Sequence, residues 1–103
     1  MAGNYVWKDP TQSLIQEMCY YDPETGRLRW QERRGHEYFN EHHAGELASY
    51  YQPHFKCRTV GVILWYYSEG KLVWLHQNGN FPRRLQYKDK DKLNTRIENL
   101  LEV

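Results

Sequence analysis

Residues 21–30 read YDPETGRLRW, and this stretch places a turn directly before a strand. Its DPETG portion, residues 22–26, has Pro and Gly at positions that turns prefer. After the turn, Leu28 and Trp30 alternate with polar residues, a pattern typical of a half-buried strand. The stretch therefore predicts the first part of a small antiparallel sheet.

Upstream of this stretch, the sequence predicts a short amphipathic helix. Residues 9–12 read DPTQ, which makes Asp9 the N-cap and puts Pro10 at the first helical position. The helix is expected to extend to about Tyr20. Its apolar face would carry Leu14, Ile15, Met18 and Cys19.

Downstream of the stretch, the pattern changes twice. Residues 32–43 are polar and aromatic without a regular period, and we expect a loop or arm there. Residues 47–67 are rich in β-branched and aromatic side chains, which predicts two strands separated by a turn at 52–54. The second of these strands, at 59–67, would be the longer one, and residues 68–70 would end it.

The last third of the chain predicts a short helix followed by a strand. The helix would start at Lys71 and end at Asn78-Gly79, a common C-terminal signal. A strand is expected at residues 84–87, and the Lys/Asp alternation at 88–92 is typical of a turn. Together, these elements predict an α+β fold in which a small antiparallel sheet packs with short helices.

Composition limits the class of protein. A chain of 103 residues is enough for one domain, and we expect residues 1–103 to form a single one. Aromatic residues make up 16% of the chain, whereas disordered segments are poor in them. The chain has two cysteines without CxxC spacing, no apolar run of membrane-spanning length and no signal peptide. We therefore expect a soluble, cytoplasmic protein without a membrane partner.

Three segments together resemble the small HNH (His-Me finger) endonucleases of bacteriophages. Residues 21–30 match the YDPETGxLxW opening of that family. Residues 72–82, LVWLHQNGNFP, are similar to HRLAWxxxxGxxP, and residues 86–100, QYKDKDKLNTRIENL, are similar to DHxNGDxxDNRIENL. The resemblance implies a phage protein on a truncated ββα-metal scaffold.

The resemblance also implies that the cutting machinery is missing. In the family an Asp binds a divalent cation and the adjacent His is the general base, a role that suits a neutral imidazole. These positions fall on Gln86, a weaker metal ligand than a carboxylate, and on Tyr87, whose ordinary pKa of about 10 keeps it protonated. The family's upstream His falls on Gly70, and its second metal ligand would fall past Val103. Asn99, which braces the loop in the family, is retained.

We therefore expect a degenerate nuclease that is not an enzyme and that has no catalytic residues, no bound metal and no cofactor. Five histidines are alternative candidates for a relocated base or metal site. They are His36, His42, His43, His54 and His76. Adjacent histidines seldom ligate one ion, and no Cys stands at ligand spacing. A working nuclease with a relocated or shared active site is the competing enzyme hypothesis.

Two parts of the chain are candidates for a binding surface. Residues 51–103 carry nine Lys/Arg against five Asp/Glu, and a basic segment can contact phosphates. The candidates for nucleic-acid binding are Arg83, Arg84, Lys88, Lys90, Lys92 and Arg96.

Trp and Tyr are common at the hot spots of protein interfaces. The candidates for protein binding are Tyr50, Tyr51, Trp65, Tyr66 and Tyr67. We expect alternate aromatics to fill the core and at least one of residues 65–67 to be exposed.

The overall charge favours a protein partner over DNA. The isoelectric point of about 7.8 lies below the value above 9 that is typical of dedicated DNA-binding domains. We therefore expect an inhibitory binding module directed at a host protein, such as a defence nuclease or another nucleic-acid enzyme, in the host cytoplasm. DNA binding is the alternative function, and a symmetric homodimer is an alternative use of the same aromatics.

Overall fold

The computed structural model describes residues 9–63 and 65–103, and within these ranges the chain forms three helices and seven strands. The helices are α1 (Gln12–Met18), α2 (Glu37–His42) and α3 (Glu69–Asn78). The strands are β1 (Cys19–Asp22), β2 (Arg27–Trp30), β3 (Tyr50–Gln52), β4 (Cys57–Val62), β5 (Trp65–Ser68), β6 (Leu85–Tyr87) and β7 (Leu100–Glu102). A short 3-10 helix, Ile97–Asn99, precedes β7.

The strands form three small antiparallel sheets. β1 pairs with β2, β4 lies between β3 and β5 in a three-stranded sheet, and β6 pairs with β7. The predicted α+β class is confirmed, although the strands are divided among three sheets. Among the helices of the described ranges, none is long and apolar enough to cross a membrane.

One core collects side chains from α1, α3 and all three sheets. Its most deeply buried aliphatic members are Ile15, Leu28, Val60, Leu72, Val73 and Leu75, each at most 1% exposed. Burying one side chain of this size contributes about 1.5–3 kcal/mol relative to leaving it in water. Three of the six belong to α3, so this helix is the central element of the packing.

The first helix is shorter than the sequence predicts at both ends. Its N-cap is Thr11, whose hydroxyl accepts a hydrogen bond of 3.2 Å from the backbone N–H three residues later, and not Asp9. The helix ends at Met18, because Cys19 pairs with the last residue of β2. The predicted extension of the helix to Tyr20 is therefore wrong. Residues 19–22 form β1, which pairs with β2 across the DPETG turn.

Within residues 32–43 the chain forms the helix α2, and the prediction of a loop or arm is wrong there. No residue of α2 is buried, so the helix has no apolar stripe that would show as a period in the sequence. Side chains hold it in place. Asn40 accepts from the backbone N–H of Arg33 at 2.6 Å and donates to its carbonyl at 2.8 Å. The Arg33 guanidinium lies 3.7 Å from the centre of the Phe39 ring.

Residues 47–67 contain three strands, and the prediction of two is wrong. Val62 at the end of β4 pairs with Trp65 at the start of β5, so only residues 63 and 64 connect the strands. These residues are Ile and Leu, whereas two-residue hairpins are normally marked by Gly, Asn or Asp. Because the sequence has no turn signal at these two residues, the single strand predicted at 59–67 contains the end of β4 and most of β5.

The predicted helix in the last third of the chain is confirmed as α3, with an earlier start. Ser68 is its N-cap and accepts a hydrogen bond of 3.4 Å from the Lys71 N–H, so the predicted strand break at 68–70 contains the first turn of the helix. Gly79 ends the helix with a φ of 94°, a left-handed conformation that favours glycine. The predicted strand at 84–87 is confirmed as β6.

One buried carboxylate joins α3 to two of the sheets. Glu69, in the first turn of α3, is 1% exposed. Its Oε1 accepts hydrogen bonds from Arg27 Nε of β2 at 3.0 Å and from Arg58 Nε of β4 at 2.8 Å. Its Oε2 accepts one from the Leu28 N–H at 3.0 Å. Both carboxylate oxygens therefore have the donors that a buried charge requires.

We expect Glu69→Ala to lower the free energy of unfolding by about 3–5 kcal/mol, because it leaves two guanidinium groups together without their shared counter-ion. Urea denaturation followed by tryptophan fluorescence measures the change. The control is Glu17→Ala on the exposed side of α1, expected to change stability by less than about 0.5 kcal/mol. A loss of less than about 1 kcal/mol for Glu69→Ala would contradict the structural role of this carboxylate.

Candidate functional site

The position that corresponds to the general base of the resembled family is closed by packing. Tyr87 lies on β6, and its hydroxyl reaches the backbone of Gly70 in the first turn of α3, where an added Cβ would overlap the Tyr87 hydroxyl. Burial, with a smaller effect of nearby Cys57 and Glu69, raises the pKa of Tyr87 to about 12. At neutral pH this phenol is protonated and cannot accept a proton from water.

The neighbouring loop is braced by Asn99. Its Oδ1 accepts from the Asp89 N–H at 3.0 Å, and its Nδ2 donates to Asp89 Oδ1 and to the Asn94 carbonyl, both at 2.9 Å. The Asn94 amide donates to the other Asp89 oxygen at 2.7 Å, and these donors lower the pKa of Asp89. The amide of Asn99 therefore holds the loop at 88–94 in shape. Gln86, at the position of the family's metal ligand, is exposed on β6.

The rings of His42 and His43 lie 6.4 Å apart, and the five histidines do not form one cluster. His76 is half-buried, its two ring nitrogens lie 3.1 Å from the Cys19 carbonyl and 2.9 Å from the Gln77 amide, and burial lowers its pKa. His42 lies 2.9 Å from the carbonyl of Tyr38 and stacks on that ring. In the part of the chain that the structure describes, no three His, Cys, Asp or Glu side chains form a group that could hold a metal ion.

The six basic candidates form two groups at opposite ends of β6. Arg83 and Arg84 precede the strand, and the Arg84 carbonyl accepts from Val103 N–H beside the last strand. The other group follows β6 and consists of Lys88, Lys90, Lys92 and Arg96, all exposed. Lys88 and Arg96 line a hollow of about 400 Å³ together with the carboxylates of Asp89 and Glu98. The basic candidates therefore lie on both sides of β6, and two of them share a hollow with acidic residues.

The five aromatic candidates all lie on the three-stranded sheet, and most are exposed. The exposed fractions are 75% for Tyr50, 51% for Tyr51, 59% for Trp65 and 67% for Tyr66. Tyr67 packs against the core and meets the Phe81 ring edge-on at 5.6 Å. The expectation that at least one of residues 65–67 is exposed is confirmed. The expectation that alternate aromatics fill the core is wrong, since only Tyr67 does so.

Strand pairing assigns these aromatics to the two faces of the sheet. Tyr50 pairs with Thr59 and Tyr66 pairs with Gly61, two residues apart on β4, so both tyrosines lie on one face. The Tyr66 ring leans across β4, where its Cε1 lies 3.4 Å from the position of a Cβ on Gly61. Tyr51, Trp65 and Tyr67 lie on the opposite face, which is also the face of the core residues Val60 and Val62.

Two further exposed residues beside this sheet were not among the candidates for protein binding. Phe55, in the β3–β4 turn, is 62% exposed, and Ile63, in the β4–β5 connection, is 76% exposed. A groove of about 600 Å³ runs beside β5, where Lys71 and Phe81 face the aromatics of that strand. A sequence signal for this surface exists: residues 47–68 contain no Asp or Glu, so apolar side chains stand there without the acidic residues that usually accompany a solvated face.

Comparison with known protein families, with curated proteins and with solved structures finds no match to this chain. The resemblance to HNH endonucleases therefore stays a prediction from the three sequence segments. The geometry contributes two separate features to any functional proposal: a closed position at Tyr87 and Gly70, and an exposed aromatic sheet that is free of acidic residues.

Proposed function

We propose that this chain is a catalytically inactive, HNH-like phage protein that acts as an inhibitory binding module against a host protein in the host cytoplasm. The observation that carries the proposal is the three-stranded sheet, on which four large aromatic side chains are more than half exposed. Two of the four lie on each face of the sheet, and exposed Tyr and Trp side chains are common at the hot spots of protein interfaces.

Two positions support the inactive part of the proposal. The resemblance assigns histidines to positions 70 and 87, and here a glycine and a tyrosine occupy them in direct contact. A histidine at 70 would have no space, because even its Cβ would overlap the Tyr87 ring, whose Cζ lies 2.9 Å from that Cβ position. The two residues fit each other as packing partners. A general base needs access to water, whereas the Tyr87 hydroxyl at the base position lies against the backbone of Gly70.

The exposed chemistry supports a protein as the target. Tyr50, Tyr51, Trp65 and Tyr66 offer large rings with polar ends, the side chains that dominate protein interfaces. The basic candidates offer less to DNA, because they are split between two ends of β6 and Lys88 and Arg96 share their hollow with carboxylates. Binding of DNA by the loop at 88–96 is the second candidate function, and the test below separates the two.

We expect the purified protein to leave supercoiled plasmid uncut in Mg²⁺, Mn²⁺ or Ni²⁺, because the protonated Tyr87 cannot activate water. Agarose electrophoresis over a range of pH values from 6 to about 9 measures nicking; Tyr87 stays protonated over this whole range. The control is the same preparation with EDTA. Cleavage that copurifies with the protein, disappears with EDTA and persists in Tyr87→Phe would show a relocated active site.

We expect the double variant Tyr50→Ala/Tyr66→Ala to lose partner binding by about 30-fold or more, since both rings lie on the open face of the sheet and hot-spot aromatics cost at least about 2 kcal/mol when truncated. The partner is first isolated from a nuclease-treated bacterial lysate and purified, and its affinity is then measured by calorimetry. Circular dichroism checks that the variant folds.

The matched control is Lys90→Ala/Lys92→Ala, which changes two exposed side chains on the loop and should bind the partner normally. If this control loses binding and the tyrosine variant keeps it, the aromatic sheet is not the binding surface. Light scattering of the free protein tests the homodimer, which would be lost with the two tyrosines if they formed its interface.

A further inference from the structure

A buried hydroxyl on the three-stranded sheet has no hydrogen-bond partner. Thr59, in the middle of β4, is 6% exposed. In the part of the chain that the structure describes, its Oγ1 is the one buried side-chain oxygen or nitrogen that neither donates to nor accepts from another group. Folded proteins contain few such groups, because a buried polar group without a partner is costly, and each of them needs an explanation.

Other buried hydroxyls in this fold are paired. Thr95 is 1% exposed, and its hydroxyl donates to the Gly26 carbonyl at 2.5 Å. Ser68, which pairs with Thr59 across the strands, uses its hydroxyl as the cap of α3 and accepts from the Lys71 N–H. The hydroxyl of Thr59 is therefore an exception within its own fold, and a threonine at this position needs a reason other than packing.

The position of Thr59 on the sheet supplies that reason. Thr59 pairs with Tyr50 of β3, and Gly61, two residues further along β4, pairs with Tyr66 of β5. Side chains two residues apart on a strand share a face, so the Thr59 side chain lies on the face that carries both tyrosines. Tyr50 is 75% exposed and Tyr66 is 67% exposed. The unpaired hydroxyl therefore lies between two exposed rings of the proposed binding surface.

This face of the sheet has no charged residue among its strand positions. Strand pairing assigns to it Tyr50, Gln52, Cys57, Thr59, Gly61, Tyr66 and Ser68. A charged group of a partner that is buried here would lack a counter-charge, and a phosphate would lack a cation. An uncharged group that forms a hydrogen bond with the hydroxyl and packs against the two rings fits this chemistry.

We propose that Thr59 and the rings of Tyr50 and Tyr66 form a recognition site for an uncharged hydrogen-bonding side chain, an amide or a hydroxyl, of the host protein. This inference rests on the proposed function and names the chemistry of the group that the aromatic sheet binds. Exposed side chains change rotamer within nanoseconds, so the two rings can turn aside and admit that group. The hydrogen bond that Thr59 lacks in the free protein is then made in the complex.

The first arm of the test is the stability of the free protein. Thr59→Val replaces the unpaired hydroxyl by a methyl group, and we expect the Tm to rise by about 4 °C or more in differential scanning calorimetry. The matched control is Thr95→Val, which should lower the Tm because it removes the donor of the Gly26 carbonyl. An unchanged or lower Tm for Thr59→Val would show that the hydroxyl is satisfied in the free protein, and would overturn the inference.

The second arm is affinity for the host protein that is isolated with the unmodified chain and purified. Thr59→Val should bind it about 10-fold more weakly or worse by calorimetry, because the partner's polar group is left without its hydrogen bond. Thr59→Ser keeps the hydroxyl and should bind within about threefold of the unmodified protein. Thr95→Val, as far as it is folded, should bind normally. Unchanged affinity of Thr59→Val would refute the inference.

The third arm identifies the recognised group by double-mutant cycles. Surface residues of the purified host protein are truncated to Ala one at a time. One Asn, Gln, Ser, Thr or Tyr variant should lose affinity for the unmodified chain and lose no further affinity for Thr59→Val. Coupling of Thr59 to an Asp, Glu, Lys or Arg, to nucleic acid or to a second copy of this chain would overturn the inference.

The two proposals can fail separately. If Tyr50→Ala/Tyr66→Ala abolishes binding while Thr59→Val binds normally, the proposed function stands and the role of the hydroxyl is wrong. If neither variant loses affinity, both proposals are wrong. A Thr59→Val protein that is more stable and binds more weakly than the unmodified protein is the result that the inference predicts.

Discussion

The arrangement of the chain depends on one buried carboxylate. Glu69 receives hydrogen bonds from two arginine side chains and from the Leu28 N–H, and these donors come from β2 and β4. Because a buried charge without partners is costly, the start of α3 must lie where both strands can reach it. Further bonds extend the network, since Arg27 also donates to Ser49 Oγ at 2.8 Å and Arg58 to the Leu93 carbonyl. The hairpin at 19–30, the three-stranded sheet and the loop before Asn94 are thereby held to one helix end.

The same helix end sets the environment of Tyr87. Gly70 follows Glu69 directly, and the absence of a side chain at this position lets β6 approach α3 with the Tyr87 ring between them. The position to which the resemblance assigns reactive chemistry therefore contributes packing in this chain. The three-stranded sheet, by contrast, exposes aromatic and aliphatic side chains that a stable monomer would normally bury. The position of Tyr87 is filled by packing, and the three-stranded sheet carries exposed apolar side chains. Both features are consistent with the proposed binding function.

The sequence was sufficient to predict those elements whose caps, turns and alternating pattern involve only a few neighbouring residues. The Asn78-Gly79 end of α3, the DPETG turn and the strand at 84–87 were predicted because caps, turns and alternation act over a few residues. The helix α2 was not, because it has no buried residue and therefore no apolar period.

The β4–β5 hairpin and the role of Glu69 were missed for a different reason. The hairpin lacks turn residues, and a Glu behind a strand gives no sign of the two arginines, 42 and 11 residues away, that surround it in the fold. At the candidate site, the aromatic residues were identified from composition. Their exposure depends on strand register, which the sequence does not state.

Gly70 and Tyr87 are packing partners, and a double-mutant cycle of unfolding free energies measures the coupling between them. In the unmodified protein Gly70→Ala should destabilise the domain by about 1–3 kcal/mol, because the new methyl group overlaps the Tyr87 ring. In a Tyr87→Ala background the same change should be neutral or stabilising by up to about 1 kcal/mol, since alanine is the better helix former. An equal cost of Gly70→Ala in both backgrounds would show that the two residues are not coupled, and would contradict the account.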